Sequence, residues 1–139
     1  MHRRPIGRGR TLAILGAIVI LVGCLLPWYG VGGDGGLPPR DFRAFDGSGI
    51  LAFVAALATM ALVALPYAAG DRPIGADRGL AYVLLVAVAL IGILLWPVDL
   101  LGAPAGLLPS RAPGWWLTVA GVAILGRAAF EIVQEPARR

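Results

Sequence analysis

The sequence predicts an all-α integral membrane protein, a four-helix bundle with both termini in the cytoplasm. Three observations carry this. The chain of 139 residues is 58% apolar before its 20 glycines are counted, and only 14% charged. It contains four long stretches with no charge, and its arginines crowd one side of them. A soluble domain is nearer half apolar with glycine included and about a quarter charged. With a mean hydropathy of +0.81, a dissolved chain would expose large apolar patches and aggregate.

The spans follow from the uncharged runs: 11–28, 47–69, 79–98 and 113–133. A bilayer core of ~30 Å takes about 20 helical residues, and helices pair every backbone group within lipid. The fourth charge-free run, Ala112 to Gly126, is short, so Arg127 falls inside the fourth span. Asp46 or Ser48 is suited to capping the second helix, and Pro113 to the first turn of the fourth. Pro27, Pro66 and Pro97 stand near span ends, so the helices are expected to be straight. The connections are outer loops at 29–46 and 99–112 and an inner loop at 70–78.

Charge sets the orientation. Arg3, Arg4, Arg8, Arg10, Arg72, Arg78, Arg127, Arg138 and Arg139 lie on one side, and Arg40, Arg43 and Arg111 on the other. Basic residues stay on the cytoplasmic face. Trp28, Trp96, Trp115 and Trp116 all fall at the opposite, outer interface, where an amphipathic ring is comfortable and is a candidate for contact with lipid or a partner. The net charge of +4 therefore marks orientation and not nucleic-acid binding. All 12 basic residues are arginine, with no lysine and no asparagine, a usage that fits a GC-rich bacterial genome and hence the bacterial inner membrane.

Gly23, Leu25 and Leu26 align with Gly92, Leu94 and Leu95 at a constant offset, and Pro27-Trp28 then faces Trp96-Pro97. Duplicated hairpins would give this; so would chance matching in greasy helices. Small residues mark packing faces: Ala52, Ala56, Ala61, Ala64 and Ala68 in the second span, and Gly114, Gly121 and Ala128 every seventh residue in the fourth. Small faces let helix backbones approach in lipid.

The chemistry is mostly one of absence. The first three spans hold no Asp, Glu, His, Lys or Arg, the groups that mark proton relays and coupled transport. Cys24 is the single cysteine and His2 the single histidine, and Ser48 and Ser110 are interfacial. Dithiol chemistry, haem ligation, metal binding and serine proteolysis each lack their residues. No enzyme activity and no cofactor are expected. Leu21-Val22-Gly23-Cys24 fits a lipobox, with Arg3-Arg4 and the apolar run as its leader, so Cys24 is a candidate for lipidation; its other reading is a small packing residue.

Arg127 lies 12 residues in from Trp115, about 18 Å at the ~1.5 Å helical rise. Its side chain would snorkel to the inner headgroups, paired with Glu131 one turn on, or would dock an anionic lipid or a partner. In the first outer loop, residues 30–37 are glycine-rich, and the following segment alternates charge with Phe42 and Phe45, which suits docking on the helix ends or on a partner. The second outer loop is apolar and broken by Pro and Gly, which places it at the interface; Asp99 and Arg111 are candidates for ion pairs across the outer face.

Leu26-Pro27-Trp28-Tyr29 closing the first span and Ala44-Phe45-Asp46-Gly47-Ser48-Gly49 opening the second resemble small four-helix membrane proteins of GC-rich bacteria, chiefly actinobacteria. The resemblance implies a fold and no activity. The expected role is structural: an accessory subunit or scaffold that binds other membrane proteins or itself. A lipid-binding or carrier role through Arg127 and Glu131 is the alternative.

Overall fold

The computed structural model describes residues 7–31, 38–68, 78–100 and 112–134. Most of the glycine half of the first outer loop, residues 70–77 of the inner loop and nearly all of the second outer loop lie outside them, as do Arg111 and the side chains of Arg78 and Asp99. Four helices make up almost all of the rest: α1 (Arg8–Leu25), α2 (Ile50–Ala68), α3 (Arg78–Leu100) and α4 (Pro113–Gln134). Each is long and apolar enough to cross a membrane. They pack as a closed ring in which α1 touches α2, α2 touches α3, α3 touches α4, and α4 returns to α1.

The α1–α4 seam is the tightest, and its cause is a pair of matched heptads. Gly9, Gly16 and Gly23 recur on α1; Gly114, Gly121 and Ala128 recur on α4. A Cβ on Gly16 would meet the Leu125 nitrogen at 2.9 Å and the Gly121 oxygen at 3.0 Å. One on Gly121 would meet the Ile20 nitrogen at 2.8 Å. Gly9 lies against Ile132 and Ala128, so the N-terminus of α1 and the C-terminus of α4 share one end of the bundle. Backbone therefore packs on backbone along the full seam. The α1 half of this pattern is as periodic in the sequence as the α4 half.

The α2–α3 seam repeats the device once. A Cβ on Gly92 would meet the Ala52 nitrogen at 2.9 Å and the Ser48 oxygen at 3.1 Å. Gly23 stands in the same relation to the Thr118 nitrogen and the Gly114 oxygen of α4. The buried positions of α2 (Ala52, Ala55, Ala56, Thr59 and Val63), moved sixty-six residues along, fall on Thr118, Gly121, Val122, Leu125 and Ala129, all buried in α4. The two hairpins α1–α2 and α3–α4 thus use equivalent positions for equivalent contacts, which extends the short repeat seen in the sequence.

Two local features depart from expectation. The segment after α1 is not all loop. Tyr29–Val31 (β1) pairs antiparallel with Arg40–Phe42 (β2), in the register Tyr29 to Phe42 and Gly30 to Asp41. The Trp28 N–H extends the ladder by donating to the Phe42 oxygen at 2.7 Å. Neither candidate cap of α2 is used as such. The Asp46 carboxylate accepts from the Arg43 N–H at 2.7 Å, closing the 3-10 turn Ala44–Asp46. The Ser48 hydroxyl donates across to the Gly92 oxygen at 3.1 Å, which ties α2 to α3. Helix α2 consequently starts at Ile50, after a Gly47-Ser48-Gly49 turn.

Candidate functional site

The tryptophans gather at one end, and prolines explain why. α1 ends at Leu25 and Leu26 is extended, so the Gly23 oxygen lies in a last turn without a helical donor, and Pro27 has no N–H to offer it; inside α3, Pro97 leaves the Ile93 oxygen without its donor. An unserved backbone carbonyl away from water is costly. Indoles take up both. Trp28 Nε1 donates to the Gly23 oxygen at 3.1 Å, and Trp115 Nε1 donates to the Ile93 oxygen at 3.2 Å. Gly114, in the first turn of α4, donates its own N–H to the Pro27 oxygen at 3.0 Å.

These bonds fix a chain of rings with Trp96 as its hub. Trp28 meets Trp96 edge-on at 5.8 Å between centroids, and Trp115 lies 5.6 Å away on the other side. Tyr29 reaches Trp96 at 5.7 Å and stacks on Phe42 at 4.6 Å with planes 5° apart. The strand pair delivers that stack, since Tyr29 and Phe42 are directly opposed in its register. Trp116 joins edge-on to Trp115 at 4.8 Å. The Trp28 ring also lies over Gly49, where any side chain would strike both the ring and Ala44.

This arrangement corrects one expectation. Trp28 and Trp96, read from the sequence as interface residues free to touch lipid or a partner, are 0% and 6% exposed. Trp28 serves the Gly23 carbonyl, Trp96 packs among the rings of Trp28, Tyr29 and Trp115, and both fill the end of the core rather than face outward. Trp115 is half-buried, while Trp116 and Phe45 present their rings outward. Phe45 leans edge-on against Phe53 at 4.8 Å, and Phe42 is half-buried on Tyr29. Burial first, and the Asp46 carboxylate second, push the Tyr29 phenol above its ordinary value.

At the opposite end, Arg127 Nε bonds Glu131 Oε1 at 3.2 Å, and the guanidinium carbon stands 5.9 Å from the centre of the Phe130 ring. The arginine side chain is 65% exposed. An exposed pair of this kind contributes at most about 0.5 kcal/mol to stability. The structure thus places Arg127 and Glu131 together, and both far from the aromatic end.

Cys24 is buried in the α1 face that packs on α4. The buried hydroxyls are satisfied within their helices: Thr118 donates to the Gly114 oxygen and Thr59 to the Ala55 oxygen, each at 2.8 Å. Among the described residues no buried side-chain nitrogen or oxygen lacks a partner. The Ser48–Gly92 bond and the carbonyls that the indoles serve are not legible in the sequence, although the Pro-Trp and Trp-Pro pairs stand beside those carbonyls as a visible signal. Comparison with known proteins returns no match: no family model, no curated protein and no solved structure aligns with this chain.

Proposed function

We propose that the chain is a structural or accessory protein of the bacterial inner membrane, with both termini cytoplasmic, which binds other membrane proteins or further copies of itself. One observation carries the reading. The interior is built from small residues, among them Ala13, Ala17, Ala52, Ala55, Ala56 and Ala89, while Leu15, Ile18, Leu57, Leu84, Leu94 and Phe130 point outward. A soluble bundle places its large apolar side chains inside. In lipid, outward leucines cost nothing and small residues draw helices together by packing. The aromatic end supports the binding role. Phe45 and Trp116 face outward there, braced edge-on by Phe53 and Trp115 respectively.

Photo-crosslinking residues placed at Phe45 and at Trp116 in living cells test this. A shared, discrete adduct from both positions, stable through mild-detergent purification, is the expected result. A chain that is always monomeric and alone contradicts it.

A further inference from the structure

We infer that the arginine-bearing end of the bundle is a docking surface for anionic phospholipid headgroups, centred on Arg127 with Arg8 and Arg10 beside it. The inference rests on the membrane reading above. The contact of Gly9 with Ala128 and Ile132 sets Arg8 and Arg10, which flank Gly9, level with the segment of α4 that carries Glu131. Arg127 begins about one turn deeper. Its side chain bends toward the helix C-terminus, onto Phe130 and Glu131, and so brings its guanidinium up to that level. Arg8 and Arg10 of α1 and Arg127 of α4 thus stand at one end of the bundle, on two helices packed together.

Glu131 takes only the Nε edge of Arg127, and the side chain remains mostly exposed. Arg127 lies over the outward Phe130 ring, so its charge stands next to exposed apolar surface. In the sequence, the segments that precede α1, follow α4 and join α2 to α3 contain Arg3, Arg4, Arg72, Arg138 and Arg139 against Asp71, Asp77 and Glu135. The segments that join α1 to α2 and α3 to α4 contain Arg40, Arg43 and Arg111 against Asp34, Asp41 and Asp46. By this count along the sequence the first set is positive and the second is not. A phosphate-bearing lipid of net negative charge complements the first in charge and in its neighbouring apolar surface.

The test is lipid retention. The full chain is reconstituted in vesicles of equal phosphatidylglycerol and phosphatidylcholine, extracted in mild detergent, and its bound lipids counted by native mass spectrometry. The wild type is expected to retain phosphatidylglycerol in about fivefold excess. Arg8→Ala/Arg10→Ala/Arg127→Ala lowers the excess toward parity, Arg40→Ala/Arg43→Ala leaves it intact, and Glu131→Gln, which frees the Nε edge of Arg127, raises it. Proportional retention by the wild type overturns the inference, as does an excess that survives the triple substitution or falls equally in the Arg40/Arg43 control. A chain that enters no vesicle overturns the membrane reading with it, whereas insertion without lipid preference overturns this inference alone.

Discussion

Trp115 donates its indole N–H to the Ile93 carbonyl oxygen across 3.2 Å, and that oxygen is the one Pro97 leaves without a donor in its own helix. The bond joins α4 to α3 and sets the ring that leans on Trp96. Trp28 performs the same service for Gly23 within its own hairpin. At this end of the bundle, proline creates an unmet acceptor and tryptophan meets it.

A double-mutant cycle measures that relation. Trp115→Phe keeps a ring but strands the Ile93 oxygen, and is expected to destabilise the folded chain by about 1–2 kcal/mol. Pro97→Ala restores an N–H to the helix, so Trp115→Phe should cost about 1 kcal/mol less in that background. Thermal unfolding in detergent reads both values. Strict additivity would show that the indole N–H is not replacing the missing donor.

The glycine seam gives a contrast within one helix. Gly121→Ala thrusts a methyl group onto the backbone of Ile20 and Gly16, which cannot move without parting α1 from α4. Gly16→Ala does the same from the other side. Each is expected to destabilise by at least about 2 kcal/mol. At Gly126 the nearest atom to an added Cβ is Val86 Cγ1, at 3.9 Å. Gly126→Ala is therefore neutral or stabilising by up to about 1 kcal/mol through helix propensity. Equal effects at Gly121 and Gly126 would contradict the seam.

How far the sequence disclosed this seam depends on which side is considered. Gly114, Gly121 and Ala128 stand out in α4 by their spacing, whereas Gly9, Gly16 and Gly23 are masked by the other small residues of α1 and by the rival lipobox reading at Gly23-Cys24. The helices themselves were legible because runs without charge and helix length are local properties. The strand pair was not, because three-residue strands separated by a glycine-rich segment offer no periodicity. Trp28 and Trp96 misled for a different reason. Their position along the chain marks the end of a helix, but only the fold shows that Trp28 serves the Gly23 carbonyl and that Trp96 is enclosed by the rings of Trp28, Tyr29 and Trp115.

Tyr29 brings a pH dependence of defined sign. Its phenol titrates above the ordinary 10.0, through burial and then the Asp46 carboxylate. A group raised in the folded state favours that state while protonated. Its contribution is therefore whole below about pH 10 and is lost as pH climbs through the higher folded value. Unfolding measured from pH 8 upward should show stability falling above pH 10, and Tyr29→Phe should flatten that fall. A slope unchanged in Tyr29→Phe would contradict the assignment.

Cys24 presents a choice between lipidation and packing. Lipidation at a lipobox removes everything before the cysteine, and here that is the α1 face bearing Gly9, Gly16 and Gly23, on which α4 closes. Mass spectrometry of the purified protein is expected to find a chain that still carries the residues before Cys24 and has an unmodified thiol. A product that begins at Cys24 and carries added acyl mass would contradict this.

The account as a whole turns on a chain that crosses the membrane four times and keeps its arginine end on the cytoplasmic side. Single cysteines in a Cys24→Ser background measure this directly, with a membrane-impermeant maleimide applied to spheroplasts and to inverted vesicles. Arg40→Cys, beside the aromatic end, should label only in spheroplasts, and Gln134→Cys, at the arginine end, only in inverted vesicles. Labelling of both positions from the same side, or recovery of the unlabelled chain in a detergent-free supernatant after high-speed centrifugation, would contradict it.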